Sequence, residues 1–260
     1  MRIARFSHSD GVSYGIVDGD ELAVAELAGH PFGGAMENLE LTGTGFALGD
    51  VRLLAPVLPS KVICVGQNYA DHVREMGGQP PPEPVIFLKP STSVCGPGDP
   101  IQRPVGLSER VDYEGELAVV IGRLCRDVPQ DLASAAILGY TCANDVTARD
   151  IQARDGQWSR AKGFDAFCPL GPWIATDADP ADLALTTRLN GEVRQESRTS
   201  LMLHDVPFLI AFVSAVMTLL PGDVLLTGTP AGVGPMQAGD EVSVTIEGVG
   251  TLANPVTDRH

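Results

Sequence analysis

The chain has 260 residues, 44% of them hydrophobic, and a formal net charge of −15 at pH 7. That length buries about three quarters of the unfolded surface, which excludes a disordered chain or a disulfide-stapled miniature and predicts one main globular domain with room for a small appendage. The acid excess argues against nucleic acid or an anionic membrane as the main partner, and the lack of a signal-like leader or an apolar run near ~18 residues predicts a cytoplasmic protein with no transmembrane helix.

In chain order, residues 1–56 carry short alternating segments at 2–6, 13–17 and 21–24. The turn-forming Ser9-Asp10-Gly11 and Asp18-Gly19-Asp20 join them, so a small N-terminal β-meander domain is expected. Gly43, Gly45, Gly49, Pro56 and Pro59 lead into a main domain at 57–260, whose first strand is 61–65. Its later apolar runs, at 84–88, 117–121, 224–226, 241–246 and 250–255, are short and bounded by Gly or Pro. This punctuation predicts a mainly β fold with a few helices (α+β), arranged as a sandwich, barrel or roll. Helices are expected at 129–138, 147–154 and 206–219, the last with Asp205 as N-cap and Pro207 in its first turn. No βαβ alternation appears. Cys64, Cys95, Cys125, Cys142 and Cys168 are widely spaced with no CxxC pair, and read as reduced core fillers.

The chemistry begins at Val111-Asp112-Tyr113-Glu114-Gly115-Glu116-Leu117-Ala118-Val119-Val120-Ile121. Alternation places Asp112, Glu114 and Glu116 on one strand face, and the apolar run after them predicts an internal strand with the glutamates at its less buried mouth. Glu114 and Glu116 are roughly 7 Å apart along the backbone, and their repulsion is on the order of 2 kcal/mol at an effective dielectric near 20. Two readings stand: a solvated strand face, or a site for a hard divalent cation, Mg²⁺ or Mn²⁺, which prefers carboxylate oxygens. Asp145 follows the apolar 137–142 segment, where a strand gives way to a helical turn. It is either a ligand projected inward or a helix N-cap.

Other candidates carry similar pairs of readings. Lys89 ends the apolar run 85–88 and Lys162 lies between Trp158 and Phe164; such lysines ordinarily snorkel to solvent. Arg149 and Gln152, at i and i+3, either face a substrate together or line a solvated helix face. The 228–234 loop lacks the GxGxxG order and a following helix, so it is no dinucleotide cradle. It is a tight turn whose N–H groups, with Thr229, could bind a carboxylate. His72 and Glu75, also at i and i+3, form either a surface ion pair or a dyad in which Glu75 orients the imidazole while His72 deprotonates water. Gly77-Gly78-Gln79-Pro80-Pro81-Pro82 after them suits a lid. His8, His30, His204 and His260 suggest nothing further.

Six ordered blocks carry a resemblance. They are Val65-Gly66-Gln67-Asn68-Tyr69-Ala70-Asp71-His72, Phe87-Leu88-Lys89-Pro90, Asp112-Tyr113-Glu114-Gly115-Glu116-Leu117, Asn144-Asp145-Val146-Thr147-Ala148-Arg149-Asp150, Lys162-Gly163-Phe164-Asp165 and Thr227-Gly228-Thr229-Pro230-Ala231-Gly232-Val233-Gly234. Over about residues 61–256 the chain resembles the fumarylacetoacetate hydrolase family. The resemblance implies a mixed β-roll catalytic domain, usually a homodimer, with Mg²⁺ or Mn²⁺ on Glu114, Glu116 and Asp145. It implies that Lys162 is a cation beside metal and substrate, with Lys89 extended to the same role. It also implies that His72 and Glu75 are the water-activating pair of the family hydrolases, carried on a lid.

Family members act on 2-oxo acids or their enols, and a metal chelating the 1-carboxylate and 2-oxo oxygen would stabilise an enolate. The expected activity is hydrolysis of a C–C bond in an acylpyruvate or fumarylacetoacetate-type substrate. An oxaloacetate decarboxylase and a 2-hydroxyhepta-2,4-diene-1,7-dioate isomerase of aromatic catabolism are the alternatives. A catalytically silent metal- or metabolite-binding module would be favoured by loss of one of these groups, and none is lost.

Overall fold

The computed structural model describes residues 1–18, 23–32 and 39–259. Gly19 and Asp20 of the predicted turn at 18–20, the start of the 21–24 segment and His260 fall outside the described residues. The fold is mainly β, as expected, with the strands in sheets of twelve, five and three strands among the described residues.

The large sheet runs Leu41–Ala47, Ala23–Leu27, Gly11–Asp18, Arg2–His8, Cys168–Ala175, Ile137–Asn144, Gly115–Ile121, Val224–Leu226, Val62–Gly66 and Val85–Lys89, with two short strands off this path. The first four strands form an antiparallel meander, of which Leu41–Ala47 falls in the stretch read as a glycine-rich lead-in rather than a strand, and His8 pairs Gly11 across the Ser9-Asp10 turn. It is hydrogen-bonded into the main sheet, where Arg2 pairs Ala175 and Ile3 pairs Ile174. The five-stranded sheet runs Glu192–Arg198, Ala184–Leu189, Glu241–Ile246, Gly250–Arg259 and Ile101–Pro104. The third consists of Thr147–Ala148, Val111–Tyr113 and Gly234–Pro235.

The Gly115–Ile121 strand separates two cores, because every one of its residues is buried and its side chains alternate. Leu117, Val119 and Ile121 pack with Leu209, Ile210 and Val213 of the long helix and with Leu185, Val244 and Leu252 of the five-stranded sheet. Ala118 and Val120 pack on the other side with Ile3, Leu170, Ile174 and Leu226. The acids at the start of this strand are therefore held on a wall that is apolar on both faces.

Sheet pairing corrects two predicted helices. In place of a helix at 129–138, a 3-10 helix spans Gln130–Ala136 and the chain then enters the Ile137–Asn144 strand, where Ile137 pairs Ile121. In place of 147–154, the helix is Arg149–Asp155, because Thr147 and Ala148 pair with Asp112 and Val111. In both, cross-strand partners distant in sequence override local helix preference. The third helix is Val206–Val216; Asp205 caps it, accepting the Phe208 N–H at 2.9 Å, and Pro207 lies in its first turn. It stops short of Leu219, which forms a bridge with Cys125. All five cysteines are free thiols. No helix among the described residues is long and apolar enough to cross a membrane.

The cap is testable by chemical unfolding. Asp205→Ala is expected to cost about 1 kcal/mol and Asp205→Asn far less; equal stability of all three proteins would show that the cap contributes nothing.

Candidate metal centre and active site

Glu114 sits at the break between the Val111–Tyr113 and Gly115–Ile121 strands, Glu116 lies on the second of them, and Asp145 immediately follows the Ile137–Asn144 strand. One carboxylate oxygen from each lies within 4.8 Å of the others. The glutamates are not at a less buried mouth: Glu114 is 3% and Glu116 1% exposed, with Asp145 at 1%. Antiparallel pairing of the two strands brings Asp145 in, and the Asp145 N–H donates to the Glu114 carbonyl at 2.8 Å. The Glu114 N–H donates to the Asn144 side chain at 2.9 Å. Asp145 is not a helix cap, because the helix starts at Arg149 with Ala148 in the N-cap place.

Buried carboxylates need partners, and four bases supply them. Lys162 Nζ donates to Glu114 Oε2 at 2.8 Å and Asp145 Oδ2 at 2.5 Å. Lys89 Nζ donates to Asp145 Oδ1 at 2.5 Å and the Val146 carbonyl at 3.2 Å. Neither lysine snorkels, for their side chains are 0% and 3% exposed for Lys89 and Lys162. Arg149 donates to Glu114 Oε1 at 2.5 Å, to Asp112 Oδ2 at 2.9 Å and to Gln152 Oε1 at 2.7 Å. Asp112 is also held by Arg110, with Nε 2.9 Å from Oδ1. The third acid of the strand thus fixes arginines and stands outside the trio.

Burial alone would lift the Glu114 carboxyl, but Lys162, Arg149 and His72 outweigh it and hold Glu114 well below the usual carboxylate range. Glu116 has no such cation on it. Burial first, then repulsion from Asp145 and Glu114, pushes its carboxyl well above the usual range, against the pull of Lys162 and of the Gly228 N–H, which donates to it at 2.6 Å. Burial would discharge Lys162, yet Asp145 and Glu114 raise it and keep it charged. Three converging hard-oxygen donors, one of them strained by like charge, fit a divalent cation, which would relieve the repulsion that lifts Glu116.

The trio opens into a cavity of about 80 Å³ that His72, Arg149, Gln152, Lys162 and Thr229 also line. The Ala70–Glu75 helix brings Glu75 Oε2 to 3.1 Å from His72 Nδ1. His72 is 7% exposed and Glu75 is exposed, its side chain at 33%, so the pair runs from the cavity wall to the surface. The Glu75 carboxylate also accepts the Gly232 N–H, at 3.0 and 3.2 Å, which ties this helix to the glycine loop. Thr229 Oγ1 donates to the Gly115 carbonyl at 2.9 Å, so its hydroxyl hydrogen is committed within the protein. Lys89 does not line the cavity; it stands behind Asp145. Met76 and Trp158, which the sequence reading missed, form apolar wall, and Trp158 packs edge-on against Phe87 with ring centroids 5.2 Å apart. Neither carries a motif that would have marked it.

The sequence pattern described as "Fumarylacetoacetate (FAA) hydrolase C-terminal" matches residues 61–257, and "Rv2993c-like, N-terminal" matches residues 1–56. The chain is similar to the 2-hydroxyhepta-2,4-diene-1,7-dioate isomerase from Mycobacterium marinum, with 55% identity, 100% and 99% of the two chains covered and a TM-score of 0.92. It is 48% identical to the mitochondrial oxaloacetate tautomerase Fahd2a of Rattus norvegicus over 79% of this chain and 69% of that protein. The maleylpyruvate hydrolase from Sphingobium sp. SYK-6, solved with manganese(II) and pyruvate, is 34% identical with full coverage of both chains and a TM-score of 0.81.

Glu116→Gln keeps the shape of the trio and removes a charge. Mn²⁺ affinity of the purified chain, read from the free-ion resonance in electron paramagnetic spectra, is expected to fall by more than about 100-fold, beyond the usual effect of an outer-shell change. Wild-type affinity in this variant would remove Glu116 from the ligand set.

Proposed function

Because the chain belongs to the fumarylacetoacetate hydrolase family, whose members are enzymes, we propose that it is a divalent-metal-dependent enzyme that moves a proton between the keto and enol forms of a 2-oxo dicarboxylate. The observation that carries this reading is His72, which lines the same cavity as the three acids and has Glu75 3.1 Å from its Nδ1.

Mg²⁺ or Mn²⁺ held by Glu114, Glu116 and Asp145 would supply Lewis-acid stabilisation of the negative charge that develops on a 2-oxo oxygen. The chain's own residues do the rest. Glu75 occupies His72 Nδ1, which leaves Nε2 to take the proton from C3 of the keto form and deliver it to the 2-oxo oxygen of the enol, or the reverse, while the Glu75 carboxylate stabilises the imidazolium between the two steps. Lys162 stays protonated at the cavity wall and favours the developing anion. Arg149 and Gln152, bonded to each other and facing the cavity, are placed to bind substrate oxygens.

Charge selects the substrate class. Asp112, Glu114, Glu116 and Asp145 are balanced by Lys89, Arg110, Arg149 and Lys162. With the Glu75 carboxylate beside His72 included, a bound divalent cation would leave the site positive by one charge, which favours an anionic substrate. The isomerase and tautomerase relatives carry dicarboxylates in their names.

A second reading is the hydrolysis of an acylpyruvate-type C–C bond, in which His72 deprotonates water rather than C3. Similarity to the maleylpyruvate hydrolase favours it. Loss of CO₂ from C3 of the keto form, which leaves an enolate that then takes up a proton, would make a decarboxylase. The working form proposed is a cytoplasmic homodimer, in keeping with the free thiols.

The test incubates the chain with oxaloacetate, 2-hydroxyhepta-2,4-diene-1,7-dioate, acetylpyruvate and fumarylpyruvate, with Mg²⁺ or with chelator. Metal-dependent, mass-neutral conversion of the first two is expected, and His72→Ala should slow it by about 10²- to 10⁴-fold. Release of pyruvate with a second acid would establish the hydrolase instead, and full activity in chelator would overturn the metal dependence.

A further inference from the structure

We propose that Gln195 is a positioning residue for the metal centre: it fixes the backbone between Glu114 and Glu116 together with the Thr229 hydroxyl, and so sets metal affinity without touching metal or substrate. The inference rests on the metal-dependent reading above.

Gln195 lies on the Glu192–Arg198 strand of the five-stranded sheet and is 1% exposed. Its Oε1 accepts the Gly115 N–H at 2.9 Å, and its Nε2 donates to Thr229 Oγ1 and to the Pro230 carbonyl, each at 2.8 Å. Both amide hydrogens are thereby used, and none is left for a ligand. Thr229 Oγ1 in turn donates to the Gly115 carbonyl at 2.9 Å. The residue between the two glutamates is gripped at its N–H and at its C=O by two side chains that are bonded to each other.

The grip needs a glycine. A Cβ at 115 would collide with the Thr187 hydroxyl and stand 3.3 Å from Gln195 Oε1. With the Glu114 N–H on Asn144 and the Glu114 carbonyl on Asp145, the peptide groups from Glu114 to Gly115 all have named partners. Metal sites tolerate displacements of about 0.2 Å in their ligands, so freeing Gly115 would spread the carboxylates that flank it. A buried glutamine that merely fills space would lower stability and leave the affinity of the acids for a cation unchanged.

The experiment measures Mn²⁺ binding to the metal-stripped full chain by electron paramagnetic resonance, without substrate, alongside thermal unfolding. Gln195→Met, close in length and without hydrogen-bonding groups, and Thr229→Val are each expected to weaken Mn²⁺ by about 10- to 100-fold and to alter the line shape of the bound ion. The double variant should lose no more than about twofold beyond the worse single one, because the two side chains act as one strap. Ser197→Ala, two residues along the same strand at a buried hydroxyl with no partner, should stay within about twofold of wild type. If Gln195→Met does not fold, Gln195→Glu keeps the size and the acceptor for Gly115 but sets a carboxylate oxygen against the Pro230 carbonyl, and should shift affinity the same way.

Wild-type affinity in the Gln195 variant, or an equal loss in Ser197→Ala, overturns the inference and leaves the metal reading intact. Absence of saturable Mn²⁺ binding by the wild-type chain overturns both.

Discussion

Three carboxylates within reach of one another, each 3% exposed or less, are the constraint that the rest of the molecule answers. An unpaired buried charge costs several kcal/mol even after relaxation, and like charges add to that cost. The fold responds with Lys89 at one edge of the large sheet and Lys162 on a short helix, both as deeply buried as the acids, and with Arg149 on another short helix, its side chain 11% exposed. Glu114 and Asp145 are neutralised in this way. Glu116, with a backbone N–H in place of a cation, carries the residual repulsion, and that repulsion is what a divalent ion would relieve.

Such an arrangement requires a rigid floor, which the Gly115–Ile121 strand provides. One face of it belongs to the core beneath the long helix and the other to the core shared with the N-terminal strands. Close packing on both sides holds the strand from Leu117 onward, so the glutamates just before it are delivered from a fixed base by the same contacts that stabilise the domain. The glycine loop then closes over them, joined to Glu116 through Gly228 and to the His72 helix through Gly232 and Glu75. The His72–Glu75 pair and the charged centre are thus joined through one loop.

Much of this was legible in the sequence, and the reasons differ by residue. The mainly β character followed from short runs bounded by Gly and Pro, and the Asp205 cap from its place before Val206-Pro207. The acids stood out because carboxylates in an apolar strand are costly, but spacing alone placed them at a solvated mouth; their burial depends on strands and loops distant in sequence. Spacing could not join Asp145 to Glu114; the family resemblance did, and antiparallel pairing of two strands is what brings them together. The helices predicted at 129–138 and 147–154 shifted for the same cause, since Ile121, Val111 and Asp112 recruited residues from each into sheets. Lys89 showed as a cation in an apolar run, yet its place behind Asp145 rather than on the cavity had no local signal. Gln195 had none either, because its partners are 34 to 80 residues away.

The measurement that bears most directly on this account is anomalous diffraction at the manganese edge from crystals of the chain grown with Mn²⁺. The account predicts one strong peak in the cavity, within about 2.5 Å of a carboxylate oxygen from each of Glu114, Glu116 and Asp145. A peak elsewhere, or an unoccupied trio at saturating Mn²⁺, would contradict it and leave the buried acids as a purely structural ion-pair cluster.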